Sequence, residues 1–132
     1  MIVVDASVVV NALADDGSDG ATARRRLVRA GELVAPDLVD VETVSVLRRR
    51  WRHGDLTSER FAVAVEDLGS FAIERLPTLP LMSRAFELRA NVTAYGAAYV
   101  ALAEHFGVVL VTADARLAGA PGIRCEVEVL GV

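Results

Sequence analysis

Ile2-Val3-Val4 is a β-branched run closed by Asp5. Its apolar residues are consecutive rather than alternating, the pattern of a strand buried on both faces of a parallel sheet. Residues 6–14 (ASVVVNALA) read as a helix stopped at Asp15-Asp16-Gly17. A second helix is predicted over about 20–30, with Gly31 as its C-cap. Leu33-Val34-Ala35 is a short strand closed by Pro36, and Asp37 is placed to N-cap a third helix reaching about residue 52. Thr57 or Ser58 opens a fourth helix to about Leu68, and Phe71 to Leu76 alternates like a strand. Pro80 starts a fifth helix to about Ala90, since proline costs little in the first turn. Thr93 caps a sixth over 94–106, stopped by Gly107. Val108 to Thr112 is another buried strand, followed by a helical turn near 114–118 and a last strand at 125–130.

Strands alternating with helices specify a three-layer α/β/α sandwich around a mostly parallel sheet of about five strands. At 132 residues the chain fits one domain, 1–132. Hydrophobic residues make up 53% but aromatics only 5%, so the core is built from Val, Ala and Leu. The net charge of −4 argues against a protein that coats nucleic acid by net charge alone. All 14 basic residues are arginine. Cys125, the single cysteine, excludes an intramolecular disulfide framework and a cysteine-based zinc site. The N-terminal apolar run lacks a basic flank and is too short to span a membrane, so a soluble cytoplasmic protein is expected.

Ligands of open α/β sheets bind beyond the carboxyl ends of the strands. Asp5 ends the first strand and Asp114 lies two residues past the VVLVT strand, so both are expected at one sheet edge. An ordinary N-cap is the competing use for each. Glu42 lies four residues after Leu38 and four before Val46, on the helix stripe that faces the sheet. An ionised Glu there is costly unless paired or metal-bound. Asp40 lies off that stripe and reads as solvated. Three converging acids suggest a hard-cation site for Mg²⁺ or Mn²⁺. Ser7 and Thr112 are candidates to orient those ligands or water, with ordinary helix-start and strand roles as the alternative.

These residues carry a resemblance. The opening IVVDASVVV, the segment APDLVDVETVSVLRR and the stretch TAYGAAYVALAEHFGVVLVTAD are similar, in order and spacing, to PIN-domain ribonucleases, specifically VapC-type toxins of toxin–antitoxin pairs. The resemblance covers essentially the whole chain. It implies a metal-dependent (Mg²⁺ or Mn²⁺) endoribonuclease with Asp5, Glu42 and Asp114 as metal-binding, catalytic acids. It also implies a VapB-like antitoxin and a homodimer, within a larger toxin–antitoxin assembly. There is one departure. The family pattern Tyr-Asp-Ala-x-Tyr reads here Tyr95-Gly96-Ala97-Ala98-Tyr99, so the position of a fourth acid holds glycine. Losing that carboxylate is expected to lower metal affinity and rate. A second reading is therefore a catalytically dead PIN domain that binds only antitoxin or RNA. A third, a phospho-acceptor or small-ligand domain of flavodoxin-like fold, lacks a glycine-rich phosphate loop and any lysine partner.

Arg48, Arg49, Arg50 and Arg52, with Trp51 and His53, end the third helix as candidate RNA contacts. Arginine forks suit phosphate, and indole stacks on bases. Successive arginines nonetheless point in different directions, and cations near a helix C-terminus are favoured by the dipole alone. Val8, Val9, Leu13 and Leu27 read as core rather than antitoxin groove. Tyr95 and Tyr99, one turn apart, read as packing residues.

Overall fold

The computed structural model describes residues 1–131. Its strands β1 (Ile2–Val4), β2 (Leu33–Pro36), β3 (Glu74–Leu76), β4 (Leu110–Thr112) and β5 (Val127–Val129) form one sheet in the order β3-β2-β1-β4-β5. Every pairing is parallel. Helices α1 (Ala6–Ala14), α2 (Ser18–Ala30), α3 (Leu38–Arg52) and α4 (Ser58–Gly69) connect β1, β2 and β3 on one side of the sheet's centre. A 3₁₀ turn (Leu79–Leu81), α5 (Met82–Glu87) and α6 (Ala94–Phe106) carry the chain back to β4, and α7 (Ala115–Ala118) leads to β5. Parallel crossovers keep one hand, so reversing the direction of travel puts α5 and α6 on the opposite face. The three-layer expectation holds, and the sheet is wholly parallel.

The core is aliphatic. Val3, Val4, Val34, Leu110 and Val111 are buried in the sheet, and Val8, Val9, Leu13 and Leu27 are buried beside it as core residues. The alanines of α6 (Ala97, Ala98, Ala101 and Ala103) are buried too, so small side chains let that helix lie close on β1, β2 and β4. One close approach depends on glycine. A Cβ on Gly20 would sit 1.8 Å from the Asp15 carbonyl oxygen, so the α1–α2 corner closes only because residue 20 has none.

Several expectations are corrected. Asp37 does not cap α3; its carboxylate instead accepts from the Thr78 backbone N–H (3.2 Å) and hydroxyl (2.6 Å). Phe71 to Ile73 is not strand, because the carbonyls of Phe71 and Ile73 accept from the Arg75 guanidinium and leave the ladder. The helix expected from Pro80 to Ala90 splits into the 3₁₀ turn and a short α5. The second helix begins earlier, at Ser18, and the last two strands are shorter than expected. Asp40 is not simply solvated: Arg75 binds it at 3.1 Å.

Candidate active site

The strand order reverses between β2-β1 and β4, which makes the carboxyl edge of β1 and β4 the topological switch point. A cavity of about 1050 Å³ opens there, and Asp5, Glu42, Gly96 and Asp114 all line it. The expectation that the acids meet at one sheet edge is met by placement.

Asp5 is the floor. Its backbone N–H still pairs with the Val111 carbonyl (3.2 Å), so the sheet fixes it, and its side chain N-caps α1 by accepting from the Ser7 N–H (3.1 Å). Only 8% of the residue is exposed. Two hydroxyls serve it: Ser7 Oγ donates to Oδ1 and Thr112 Oγ1 donates to Oδ2. Each hydroxyl then accepts a backbone N–H at 2.9 Å, Ser7 from Ala113 and Thr112 from Asp114. Ser7 and Thr112 thus tie the end of β1 to the loop that carries the third acid. Burial pushes the Asp5 carboxyl above its ordinary value, and the two hydroxyls oppose this.

Glu42 is half-buried on α3, where the stripe argument placed it. Tyr99 Oη donates to its Oε1 at 2.6 Å. Desolvation raises the Glu42 carboxyl, the Tyr99 bond lowers it and the Asp5 charge raises it further. The two acids therefore feel each other. Tyr99 is buried but is more than packing: it bridges α6 to α3 and orients Glu42. Its partner Tyr95 is 63% exposed and does not pack in the core. A tyrosine on an apolar stripe reads as filler, and only its hydroxyl signalled the other use.

Asp114 N-caps α7, accepting from the Arg116 N–H at 3.0 Å. The Arg116 side chain closes on the same carboxylate at 3.0 and 2.9 Å and holds it below the usual range. Arg116 is 91% exposed, so this pair is water-screened and weak. As the side chains stand, no group of three or more His, Cys, Asp or Glu among the described residues is placed to hold a metal.

Gly96 is the third residue of α6, and its N–H donates to the Thr93 cap oxygen at 3.2 Å. A Cβ there would sit 3.2 Å from Val92 Cγ1 and 3.3 Å from Leu117 Cδ1. A side chain there needs both neighbours to give by a few tenths of an ångström: Leu117 Cδ1 is the end of a flexible side chain, and Val92 is buried and stiff. The arginine cluster divides. Arg49 and Arg50 line the cavity, with Arg50 Nη2 donating to Asn11 Oδ1 at 2.9 Å. Arg48, Trp51 and Arg52 do not line it; Trp51 lies against Phe61 and donates to Ser58 Oγ.

The PIN domain family model matches residues 2–123. Ribonuclease VapC9 of Mycobacterium tuberculosis (strain ATCC 25618 / H37Rv) is 41% identical over 130 residues, 98% of each chain. Ribonuclease VapC1 of the same strain is 40% identical over 129 residues, 97% of this chain and 96% of that one. Among solved structures, PAE2754 from Pyrobaculum aerophilum superposes with a TM-score of 0.69 at 25% identity, over 97% of this chain and 83% of that one. Mycobacterium tuberculosis VapC20, a Sarcin-Ricin loop cleaving toxin, is alike in fold at a TM-score of 0.66 and 18% identity, over 83% and 87% of the two chains. By sequence over nearly its whole length, and by its topology, the chain belongs to the PIN-domain family, among the VapC-type ribonucleases.

Proposed function

We propose that the chain is a metal-dependent endoribonuclease toxin that hydrolyses RNA phosphodiester bonds and is neutralised by a VapB-like antitoxin. The observation that carries this reading is the buried Asp5 carboxylate on the floor of the switch-point cavity that Glu42 and Asp114 also line. Two desolvated anions so placed are costly without a cation. Oxygen donors from Asp5, Glu42 and Asp114 suit Mg²⁺ or Mn²⁺ in kind. Bound there, such a cation lowers the pKa of a water and offsets charge on the scissile phosphate.

The chain's own residues do the rest. Ser7 and Thr112 hold both oxygens of Asp5 in fixed directions, and Tyr99 holds one oxygen of Glu42, leaving the other free. Asp114 joins them when its exposed pair with Arg116 opens, a step that costs little at a solvated ion pair. Cleavage of RNA by the full chain should require Mn²⁺ or Mg²⁺, stop with EDTA, and be lost in Asp5→Asn. Cleavage that survives both changes refutes the reading.

Gly96 favours a second reading, a PIN domain that binds antitoxin or RNA with little or no hydrolysis. The position of the fourth acid carries no carboxylate, and a Cβ there would lie 3.2 Å from Val92 and 3.3 Å from Leu117. Titration of Mn²⁺ separates the two: binding that supports cleavage favours the enzyme, and no binding with antitoxin binding intact favours the inert partner. A homodimeric state and a cytoplasmic location belong to the same proposal. Among the described residues no helix is long and apolar enough to cross a membrane.

A further inference from the structure

Arg49 lies seven residues after Glu42 on α3, two helical turns along the same stripe, with Val46 between them. All three residues line the cavity, so one helix face carries a carboxylate and then a guanidinium. Most arginines of this chain are occupied. Arg24 and Arg60 donate to backbone carbonyls, and Arg26, Arg75, Arg84 and Arg116 pair with acids. The exposed Arg49 guanidinium has no hydrogen-bond or acidic partner among the described residues. Tyr95 lines the same cavity from the first turn of α6. Its ring is 63% exposed, and its hydroxyl has no protein partner among the described residues.

We infer that this cavity contains a subsite for single-stranded RNA, in which Arg49 grips a backbone phosphate and the exposed Tyr95 ring stacks on an unpaired base. The inference rests on the ribonuclease reading only for the polymer's identity. A guanidinium fork matches a phosphate, and it supplies positive charge in a cavity whose carboxylates repel a polyanion. An exposed aromatic face accepts any base, provided the base is free of a duplex. The pairing of one cation with one ring, on two different helices, fits a strand that alternates phosphate and base. The other three arginines of the 48–52 cluster are set aside by geometry: Arg48 and Arg52 are off the cavity, and Arg50 is engaged with Asn11.

The test uses the full chain in EDTA, so that cleavage does not intervene, with a short labelled single-stranded RNA of mixed sequence read by fluorescence anisotropy. Arg49→Gln and Tyr95→Leu should each weaken binding by at least about fivefold, the low end for one stacked base. Arg49→Gln should also lower the slope of log affinity against log salt by about 0.7, one phosphate contact. Tyr95→Trp should bind within about twofold of the parent, as should Arg29→Gln, an exposed arginine off the cavity. The same RNA annealed to its complement should bind more weakly and lose its dependence on Tyr95. Unchanged melting temperatures show that the exposed substitutions leave the fold intact.

The proposal is overturned if Arg49→Gln behaves like Arg29→Gln, if Tyr95→Leu binds like the parent, or if the duplex binds as well as the single strand. It is equally overturned if both variants weaken only an antitoxin peptide, which makes this a protein-docking face. Cleavage is scored separately. Binding losses as expected in a chain that cleaves no RNA with any metal keep the subsite and refute the ribonuclease reading. Cleavage with unchanged binding in both variants does the reverse.

Discussion

Thr112→Val removes one hydroxyl from a fully buried position and nearly keeps the side chain's shape. Two bonds are lost: the donation from Oγ1 to Asp5 Oδ2, and the acceptance of the Asp114 N–H at 2.9 Å. A hydrogen bond to a charged acceptor contributes about 1.5–3 kcal/mol, and a stranded backbone N–H costs about 1 kcal/mol more. Near neutral pH the expected destabilisation is therefore about 3 kcal/mol. For a domain of this size that lowers Tm by roughly 10 °C.

The pH dependence of that loss is the sharper check. Burial raises the folded-state Asp5 carboxyl above its ordinary 3.8, so the native state holds this proton more tightly than the unfolded chain does. Native stability contributed by this proton is full below 3.8 and is lost as pH rises through the folded value. Without the Thr112 donor the carboxylate is poorer still, so the folded value rises further. The variant's deficit should thus be largest where the parent's Asp5 is ionised. Where Asp5 is protonated in both, it should shrink to about 2 kcal/mol, a neutral hydrogen bond plus the Asp114 N–H that is stranded at any pH. Circular-dichroism melts of both chains from about pH 4 to 7.5 measure this. A deficit that does not change with pH, or a Tm equal to the parent's, refutes the claim that Thr112 serves an ionised Asp5.

Gly96→Asp should raise Mn²⁺ affinity and RNA cleavage by at least about tenfold. Adding Leu117→Ala should increase the gain by clearing the contact at 3.3 Å; equal activity in parent and variant shows that residue 96 is not a missing ligand. Thr43→Val should stabilise the fold by about 1 kcal/mol, because the Thr43 hydroxyl is buried without a partner among the described residues and valine removes the desolvated group; a lower Tm contradicts this. Gly20→Ala should cost roughly 3 kcal/mol or more, the top of the overpacking range, since the new methyl meets backbone rather than a movable side chain; urea melts measure it, and a neutral result refutes the tight α1–α2 corner.

Runs such as Ile2–Val4 and residues 97–103 of α6 were legible because they are buried on all sides, so an unbroken apolar run and burial agree. Asp5, Glu42 and Asp114 were legible as acids where a strand ends or an apolar stripe runs. Ser7 and Thr112 followed from their two-residue offsets. What escaped the sequence depends on partners far along the chain. Asp37 resembles any helix cap until Thr78 competes for it across the fold. The carbonyls of residues 71 and 73 accept from Arg75, and the Phe71 carbonyl also takes the Ile73 N–H in a local turn. Helix geometry alone divides the arginine run, turning Arg49 and Arg50 toward the acids and Arg48 and Arg52 away.

The hydroxyl tie between Asp5 and Thr112 joins residues 107 positions apart. It therefore bears on timing during synthesis. Most of the chain must leave the ribosome before the residue that completes the floor of the site exists, and domains of this size fold cooperatively. Incomplete translation products that stop short of β4 lack both Thr112 and Asp114, so they cannot assemble the site. The site is closed by residues 107 positions apart, so its assembly waits on a long-range contact and not on any local segment.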